Sequence, residues 1–528
     1  MRDKKEKAGT KMDHVKNIEL NEQFRKALYL LEKTNKSVFI TGKAGTGKST
    51  LLSYFCEHTK KPLVVLAPTG VGAVNVSGQT IHSFFGFKPD TTLNDAEKIA
   101  KKMRSKRKEL FKKLDAIVID EISMARADLL DCVDIFLRTI LKNQLQFAGI
   151  QMIFFGDLYQ LPPVVIGKER NVFKTNYKTP YFFDAKAMNN FQVEFIELEK
   201  VYRQKDKKFI EILNSIRNNT ITDAQLETIN QRVNEDIDLK DLGHEYVYLT
   251  TINRLADQIN RINMEELPGR KYVFEGEITG EFDKRYLPTE TELEVKESAQ
   301  IMLLNNDSRG RWINGTIGEI IDFEEDKINI KLQNGKTVSV SPYSWDIFET
   351  YFNKEDRVLD KHLLGSFIQY PIRLAWAITI HKSQGKTFDR AVIDLSGGTF
   401  ACGQTYVALS RCRTLEGMIL KTKIKKTNIF TDWRIVRFMT NYQYGLSERN
   451  CPEKRKIEII EEAIKNRRKL KIIYLKNTDE KSQRTILPER IGEMEYRGKK
   501  YLGIEAYCFL RNEKRTFRID RILEMSVV

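Results

Sequence analysis

Apolar residues in the first third of the chain come as short unbroken runs: Val38-Phe39-Ile40, Leu63 to Ala67, Ala116 to Ile119 and Met152 to Phe155. Each ends in glycine or polar residues, and helical stretches separate them. Runs apolar at every position suit strands buried on both faces, so the pattern predicts a parallel sheet with crossover helices. Ahead of the first run, Asn21 to Lys36 puts Phe24, Leu28 and Leu31 on one helical face with Asn21 as N-cap. A second α/β stretch opens near Val201, with a helical pattern from Phe209 to Arg217 and a strand from Tyr246 to Leu249. From about Gly269 to Tyr351 the texture changes to short alternating strands punctuated by Asn314-Gly315 and Asn334-Gly335, steps that favour hairpins, and this predicts a small inserted antiparallel barrel. The α/β texture returns with Arg373 to Gly385, a strand from Ala391 to Leu395, and Tyr406 to Arg413. Asn441 to Arg455 reads as a linker. Beyond it lie a basic amphipathic helix, Ile457 to Lys469, and the strands Lys471–Leu475, Tyr501–Phe509 and Thr516–Ile522.

The chain thus divides into a polar tail (1–19), a first α/β lobe (20–200) carrying a basic insertion at about 86–113, and a second lobe (201–268 and 366–435). The barrel region (269–365) interrupts the second lobe; a linker (436–455) and a C-terminal β-rich domain (456–528) follow.

Composition narrows the setting. Of 528 residues 41% are hydrophobic and 30% charged, and no run approaches the ~18 apolar residues of a membrane span. The opening MRDKKEKAGTKMDH lacks the apolar core of a secretory signal, which points to the cytoplasm. The six cysteines show no C-x-x-C pair and read as reduced core residues rather than zinc ligands. A formal net charge of +16 implies attraction to a polyanion. Nucleic acid fits better than anionic lipid, because no basic amphipathic helix carries Trp or Phe on its apolar face.

Candidate chemistry starts at Gly42 to Ser49, spaced G-x-x-x-x-G-K-S between a strand and a helix opening at Thr50, Leu51 and Leu52. Gly42, Gly45 and Gly47 let backbone N–H groups turn inward, Lys48 reaches the β- and γ-phosphates, and Ser49 offers a hydroxyl to Mg²⁺. Asp120 and Glu121 stand at the end of a parallel strand, where α/β sheets bind ligands. The first can hold Mg²⁺ through water and the second can orient or deprotonate the attacking water. Gln160 could sense a γ-phosphate without competing for the proton. Other positions read two ways: Gln23 as a solvated helix residue or a nucleotide contact, His82 and Phe84 as a core closure or a base-stacking pair, and Ala96 to Lys113 as a solvated basic helix or a duplex contact.

The ordered set of the phosphate loop, APTG (67–70), TIHSFFG (80–86), DEISM (120–124), GDLYQLPP (156–163), YRQ (202–204), ITIHKSQG (378–385) and YVALSRCRTLEG (406–417) resembles the superfamily 1B DNA helicases of the petite-integration-frequency, or Pif, type. The resemblance covers roughly Asn21 to Phe430. It implies two RecA-like P-loop NTPase lobes enclosing ATP, single-stranded DNA running across both, and 5′ to 3′ translocation, a polarity that rests on the family alone. Position by position, Gln23 resembles the adenine-reading glutamine, Lys48 and Ser49 the phosphate and Mg²⁺ ligands, Asp120 and Glu121 the Mg²⁺ and water-activating pair, and Gln160 the γ-phosphate sensor. Ala44, Thr46, Thr50, Gln384 and Gly385 join the glycines in lining the nucleotide. Arg203 and Arg411 resemble the arginines that the second lobe directs at the γ-phosphate. Pro68, Thr69, Gly70, His82, Ser83 and Phe84 would hold DNA from the first lobe, and Thr379, His381, Lys382 and Ser383 from the second. The inserted barrel resembles a Src-homology-three-like module.

The C-terminal segment resembles a WYL domain, although the naming tripeptide is Lys500-Tyr501-Leu502 and its tryptophan is absent. Arg515, Arg518 and Arg521 are candidate ligand or DNA contacts there, with solvated arginines as the alternative. The implied whole is a bacterial, nucleoid-associated DNA helicase that uses ATP and Mg²⁺, acts as a monomer and engages single strands and single-strand/duplex junctions. The sequence does not choose among G-quadruplex, RNA–DNA hybrid and other substrates. A DNA-stimulated ATPase that remodels protein–DNA complexes shares every motif, and a ligand-responsive regulator using the ATPase as a switch is the third reading.

Overall fold

The computed structural model describes residues 20–76, 78–165, 173, 175–237, 245–282, 287–353, 358–496 and 498–528; the predicted polar tail lies outside them. The chain forms two compact units, one running to residue 213 and resuming at 223–428, the other made of 214–222 and 429–528.

In the first unit, the predicted apolar runs become strands β1 (Ser37–Gly42), β2 (Leu63–Ala67), β4 (Ala116–Ile119) and β5 (Gln151–Phe155), joined by β3 (Gln79–Thr80) and β6 (Val193–Leu198). The sheet order is β3-β2-β4-β5-β1-β6, with every pair parallel. Strands β1, β4 and β5 are buried at every position, which is why their central residues form unbroken apolar runs. Helix α1 (Glu22–Lys33) starts where the Asn21 side chain accepts from the Phe24 N–H at 2.8 Å, and it buries Phe24, Ala27 and Leu31. Helix α2 (Lys48–His58) adds Leu51, Leu52 and Phe55 against Val38, Ile40, Val118 and Ile153. Each such side chain contributes about 1.5–3 kcal/mol on burial. Because β1, β5 and β4 are neighbours and parallel, their carboxyl ends open onto one edge, the place where such sheets bind ligands.

A second parallel sheet in the same unit orders Ala377–Thr379, Val247–Thr250, Ala391–Asp394 and Met418–Leu420, with helix Asn253–Glu266 packed on it. Between Thr250 and Ala377 the chain builds antiparallel structure, distributed over three sheets. The largest orders Thr337–Val340, Lys327–Leu332, Ile317–Glu324, Gln300–Leu303 and Ile372–Leu374 around Ile301, Leu303, Trp312, Ile320, Ile328 and Ile330. Asn334-Gly335 makes the predicted hairpin, with Gly335 at φ +80°. Asn314-Gly315 instead belongs to a longer loop, 304–316, braced by Trp312 donating through Nε1 to Asn305 at 3.0 Å.

Three expectations need correction. The basic helix over Ala96 to Lys113 is two helices, Leu93–Lys102 and Ser105–Lys112, because the chain is extended at Met103 and Arg104. That turn lets Ala96 and Ala100 of one and Leu110 and Phe111 of the other both reach the core. The segment read as a linker continues a helix, Trp433–Asn450, and only Cys451 and Pro452 separate it from the next, Glu453–Lys465. Its buried face, Ile435, Met439, Thr440, Gln443 and Ser447, is more than half polar and hides the periodicity. Finally, Thr516 to Ile522 is not one strand: a strand ends at Arg518, a 3-10 turn spans Ile519–Arg521, and another strand runs from Ile522 to Val527.

The second unit contains a five-stranded antiparallel sheet ordered Glu513–Arg518, Lys499–Cys508, Lys481–Tyr496, Leu470–Leu475 and Ile522–Val527. Ile460 and Ala463 of the preceding helix close its core with Leu470, Ile472, Ile486 and Ile504. All six cysteines are free thiols, and no described helix is long and apolar enough to cross a membrane.

Candidate active site

Strand β1 runs straight into the phosphate loop. Gly42, Gly45 and Gly47 all take positive φ, and Gly47 hands the chain to α2 in a left-handed conformation, so the helix N-terminus faces the loop. Such a terminus, with unpaired N–H groups and a positive dipole end, favours phosphate. At Gly45 a side chain would strike the Arg203 Cβ at 2.5 Å; the absence of one lets a remote segment lie against the loop. Lys48 donates through Nζ to the carbonyls of Gly42 at 2.7 Å and Lys43 at 3.1 Å, and Ser49 and Thr50 are exposed in the first turn. The Ala44 N–H donates to the Tyr406 hydroxyl at 2.8 Å.

One strand over, Asp120 and Glu121 cap β4. Glu121 sits at φ 50°, ψ 42°, unusual for a side-chain-bearing residue and of the kind that costs about 1–3 kcal/mol where function holds it. Its N–H donates to Asp120 Oδ1 at 2.9 Å, and its Oε2 accepts from Gln384 at 3.2 Å. Burial, then the Glu121 charge, pushes the Asp120 carboxyl up to about 7, against the opposing pull of the Glu121 N–H and Lys48. Burial also raises Glu121, while Lys48 and Arg411 oppose it. The two titrate as a pair. After β5, the fully buried Asp157 accepts from the Gln160 side chain at 3.3 Å. Gly403 presses on this turn: a side chain there would meet the Tyr159 carbonyl at 2.2 Å.

The raised carboxyl has a measurable consequence. A carboxyl whose folded pKa lies above its ordinary 3.8 adds stability that is complete below that value and is lost as pH climbs through about 7. Asp120→Asn should therefore raise the melting temperature of the nucleotide-free protein at about pH 8 by a few degrees, with the gain vanishing near about pH 4. Differential scanning calorimetry across that range checks it, and equal melting points at high pH would contradict the burial account.

Two arginines from distant stretches complete the site. The Tyr202 N–H donates to the Gly45 carbonyl at 2.8 Å, fixing Arg203 over the loop, and its guanidinium donates to Ser410 O at 3.2 Å and Gly385 O at 3.4 Å. Gln204 donates to Ser410 O and Cys412 O at 3.1 and 3.0 Å. Arg411 is buried, donating to the carbonyls of Val407 (2.8 Å), Lys386 (3.1 Å) and Ser383 (3.4 Å) and to Ser410 Oγ (2.9 Å). Burial presses both arginines' pKa values down; Arg411 adds to this at Arg203, while Tyr406, Glu121 and Asp157 counter it at Arg411. On α1, Gln23 accepts from the Glu199 N–H at 3.0 Å, one residue from Phe24, whose ring packs at Gly47. Reading the sequence missed Tyr406, Asp157 and Gln204 as site residues, although all three lie inside the quoted motifs; neither Tyr406 nor Gln204 carries a local signal that its partner is a distant backbone group.

The candidate nucleic-acid track divides by exposure. Pro68 and Thr69 are half-buried at the turn after β2, Gly70 is buried, His82 is half-buried and Ser83 exposed on the short helix Ile81–Phe85, and His381 and Lys382 are accessible on the second sheet's turn. Burial lowers both histidine pKa values, so both rings are neutral near pH 7. Phe84 cannot stack on bases: it is 2% exposed and packed with Phe85 and Phe111. Thr379 and Ser383 are likewise buried, accepting from the Lys382 N–H and donating to the Ile380 carbonyl respectively. Phe400, which the sequence reading passed over, is 67% exposed and stacks on His381. In the second unit, Arg515 pairs with Glu513 and Arg518 with Asp520 beneath Tyr501, while Arg521 is half-buried.

These elements define a P-loop nucleotide hydrolase whose site is assembled from two RecA-like sheets. Residues 17–227 match the PIF1-like helicase family model, and residues 455–527 match the WYL domain model. The ATP-dependent DNA helicase Pif1 of Bdellovibrio bacteriovorus is 32% identical over 440 residues, covering 81% of this chain and 93% of that protein. Human ATP-dependent DNA helicase PIF1 is 32% identical over 426 residues, 78% of this chain and 62% of its own length. The crystal structure of Bacteroides sp. Pif1 in complex with ADP-AlF4 superposes with a TM-score of 0.74 at 35% identity, covering 81% of this chain and 98% of that one. A crystal structure of Bacteroides Pif1 bound to single-stranded DNA gives 0.59 at 35% identity. The chain belongs to the PIF1-like helicase family and carries a WYL domain at its C-terminal end.

Proposed function

We propose that this chain is an ATP-dependent DNA helicase that translocates 5′ to 3′ on single strands and opens duplex at single-strand/duplex junctions. The observation that carries this reading is the convergence of Arg203 and Arg411, from remote segments, on the phosphate loop and Glu121. Polyphosphate would lie along the α2 N-terminus, with Lys48 transferring its donors from the Gly42 and Lys43 carbonyls to phosphate oxygens. The donor set fits Mg²⁺: the exposed Ser49 hydroxyl and the Asp120 carboxyl, crowded by a second buried carboxyl, would hold it, and the ion would neutralise developing phosphate charge. Glu121, oriented by Gln384, accepts the proton of the attacking water. Arg203 and Arg411 stabilise charge on the transferred phosphoryl only while the segments bearing them lie against the loop, so hydrolysis is tied to movement of those segments. Changes of grip across Thr69, His82, Ser83, His381 and Lys382 then become motion along the strand, by phosphate contacts and base stacking that tolerate any sequence.

The relatives' names supply the DNA substrate and the family supplies the polarity. Action as a monomer in the cytoplasm on the nucleoid, and G-quadruplexes or RNA–DNA hybrids as further substrates, belong to the same proposal. Single-stranded DNA should stimulate ATP turnover, and the DNA concentration for half-stimulation should rise log-linearly with salt, as counterion release requires. Turnover indifferent to DNA at every salt concentration would remove the reading.

A further inference from the structure

The loop 304–316 of the antiparallel insertion meets the hydrolysis site at the side-chain pair Lys386–Asn314. Lys386 donates through Nζ to Asn314 Oδ1 at 2.7 Å, and its stem crosses Gly315 so closely that a Cβ there would lie 3.2 Å away. Asn314 is braced from behind: its N–H donates to Asn306 Oδ1 at 2.8 Å, and the Gly315 N–H donates to the Leu303 carbonyl at 2.8 Å. On its other side Lys386 belongs to the turn that serves the catalytic groups. Its carbonyl accepts from Arg411 at 3.1 Å, the Gly385 carbonyl accepts from Arg203 at 3.4 Å, and Gln384 donates to Glu121 at 3.2 Å. Three contacts to the hydrolytic machinery therefore leave one three-residue turn, anchored to the insertion by Lys386.

We propose that Asn314 is a positioning residue for ATP hydrolysis: through Lys386 it sets the 384–386 turn, making the inserted antiparallel region part of the device that places Arg411, Arg203 and Glu121. Burial, with the neighbouring Arg373 charge, lowers the Lys386 pKa to about 8, and the Asn314 oxygen compensates the ammonium for water lost on partial burial. The inference rests on the turnover assigned above, and the two fail differently.

The test is steady-state ATPase of the full chain at saturating single-stranded DNA, for Asn314→Ala, Lys386→Met, Asn314→Asp and the Asn314→Ala/Lys386→Met double variant. Each of the first two should lower kcat about tenfold with KM for ATP within about twofold, the size expected of a residue that couples without touching the ligand. The double variant should match the worse single one, because both break the same link. Asn314→Asp keeps the acceptor and should restore kcat to within about twofold of the parent. Unchanged kcat in Asn314→Ala, losses that multiply in the double variant, or a loss that follows the melting temperature and is not restored by Asn314→Asp would overturn the proposal. A parent protein without DNA-stimulated turnover would instead remove the functional reading beneath it.

Discussion

Lys48→Ala should lose ATP turnover by about 10³-fold or more, while DNA binding without nucleotide stays within about threefold of the parent. The ammonium does two things at once. It supplies the only side-chain cation in the first turn of α2, at the N-terminus where phosphate charge would accumulate. It also holds down the pKa of both Asp120 and Glu121, which burial pushes up. Removing it deprives the phosphates of their donor and leaves the proton acceptor protonated to higher pH. Residual turnover should therefore show an alkaline-shifted pH profile, which distinguishes this loss from simple misfolding. Lys48→Arg should not rescue, since a planar guanidinium cannot occupy the ammonium's place between two loop carbonyls. Turnover surviving in Lys48→Ala would mean that the loop binds something other than the hydrolysed nucleotide.

Arg411→Lys should lower kcat by about 10³-fold with kcat/KM falling in parallel, because the interaction it removes belongs to the transition state. Lysine keeps the charge but cannot reproduce four simultaneous bonds to Val407, Ser383, Lys386 and Ser410. Arg203 is less enclosed and braced by fewer bonds, so Arg203→Lys should cost less, and the double variant should fall short of the product of the two because the arginines act on one phosphoryl group. Melting temperature and nucleotide-free DNA binding report folding separately. An Arg411→Lys protein keeping a tenth or more of parental kcat would place the catalytic charge elsewhere.

How much of this was legible in the chain depended on how local each cause is. The placing of the phosphate loop and the Asp120-Glu121 pair at one sheet edge was legible because each is a short run of adjacent residues in fixed order after an apolar strand, and the apolar runs gave β1, β2, β4 and β5 since a strand covered on both faces leaves no ambiguity of pattern. Arg203 and Arg411 could be paired only through family resemblance, as nothing near either residue says that Gly45 and the Ser410 carbonyl both lie against Arg203. Phe84 failed for the same reason in reverse: its burial is decided by Phe111, from a segment read as a basic helix, either solvated or in contact with duplex. Asn441 to Arg455 was taken for a linker because the buried face of the helix that runs into it, Trp433–Asn450, includes Thr440, whose hydroxyl donates within the helix to the Val436 carbonyl, and Gln443 and Ser447, which reach Asp479 and the Ile522 carbonyl. The long strand Lys481–Tyr496 escaped notice because Arg484 and Pro488 occupy buried positions and a bulge between Pro488 and Arg490 shifts the register, so the alternation is broken.

The central claim is that hydrolysis between the two sheets drives directed movement along a single strand. The most direct measurement is ATP-dependent strand separation on matched duplexes bearing only a 5′ or only a 3′ single-stranded tail, with Lys48→Ala as control. The account predicts unwinding of the 5′-tailed duplex by the parent protein alone, with the 3′-tailed duplex left intact. Unwinding of the 3′-tailed duplex in its place, or full DNA-stimulated turnover with neither duplex opened, would contradict it.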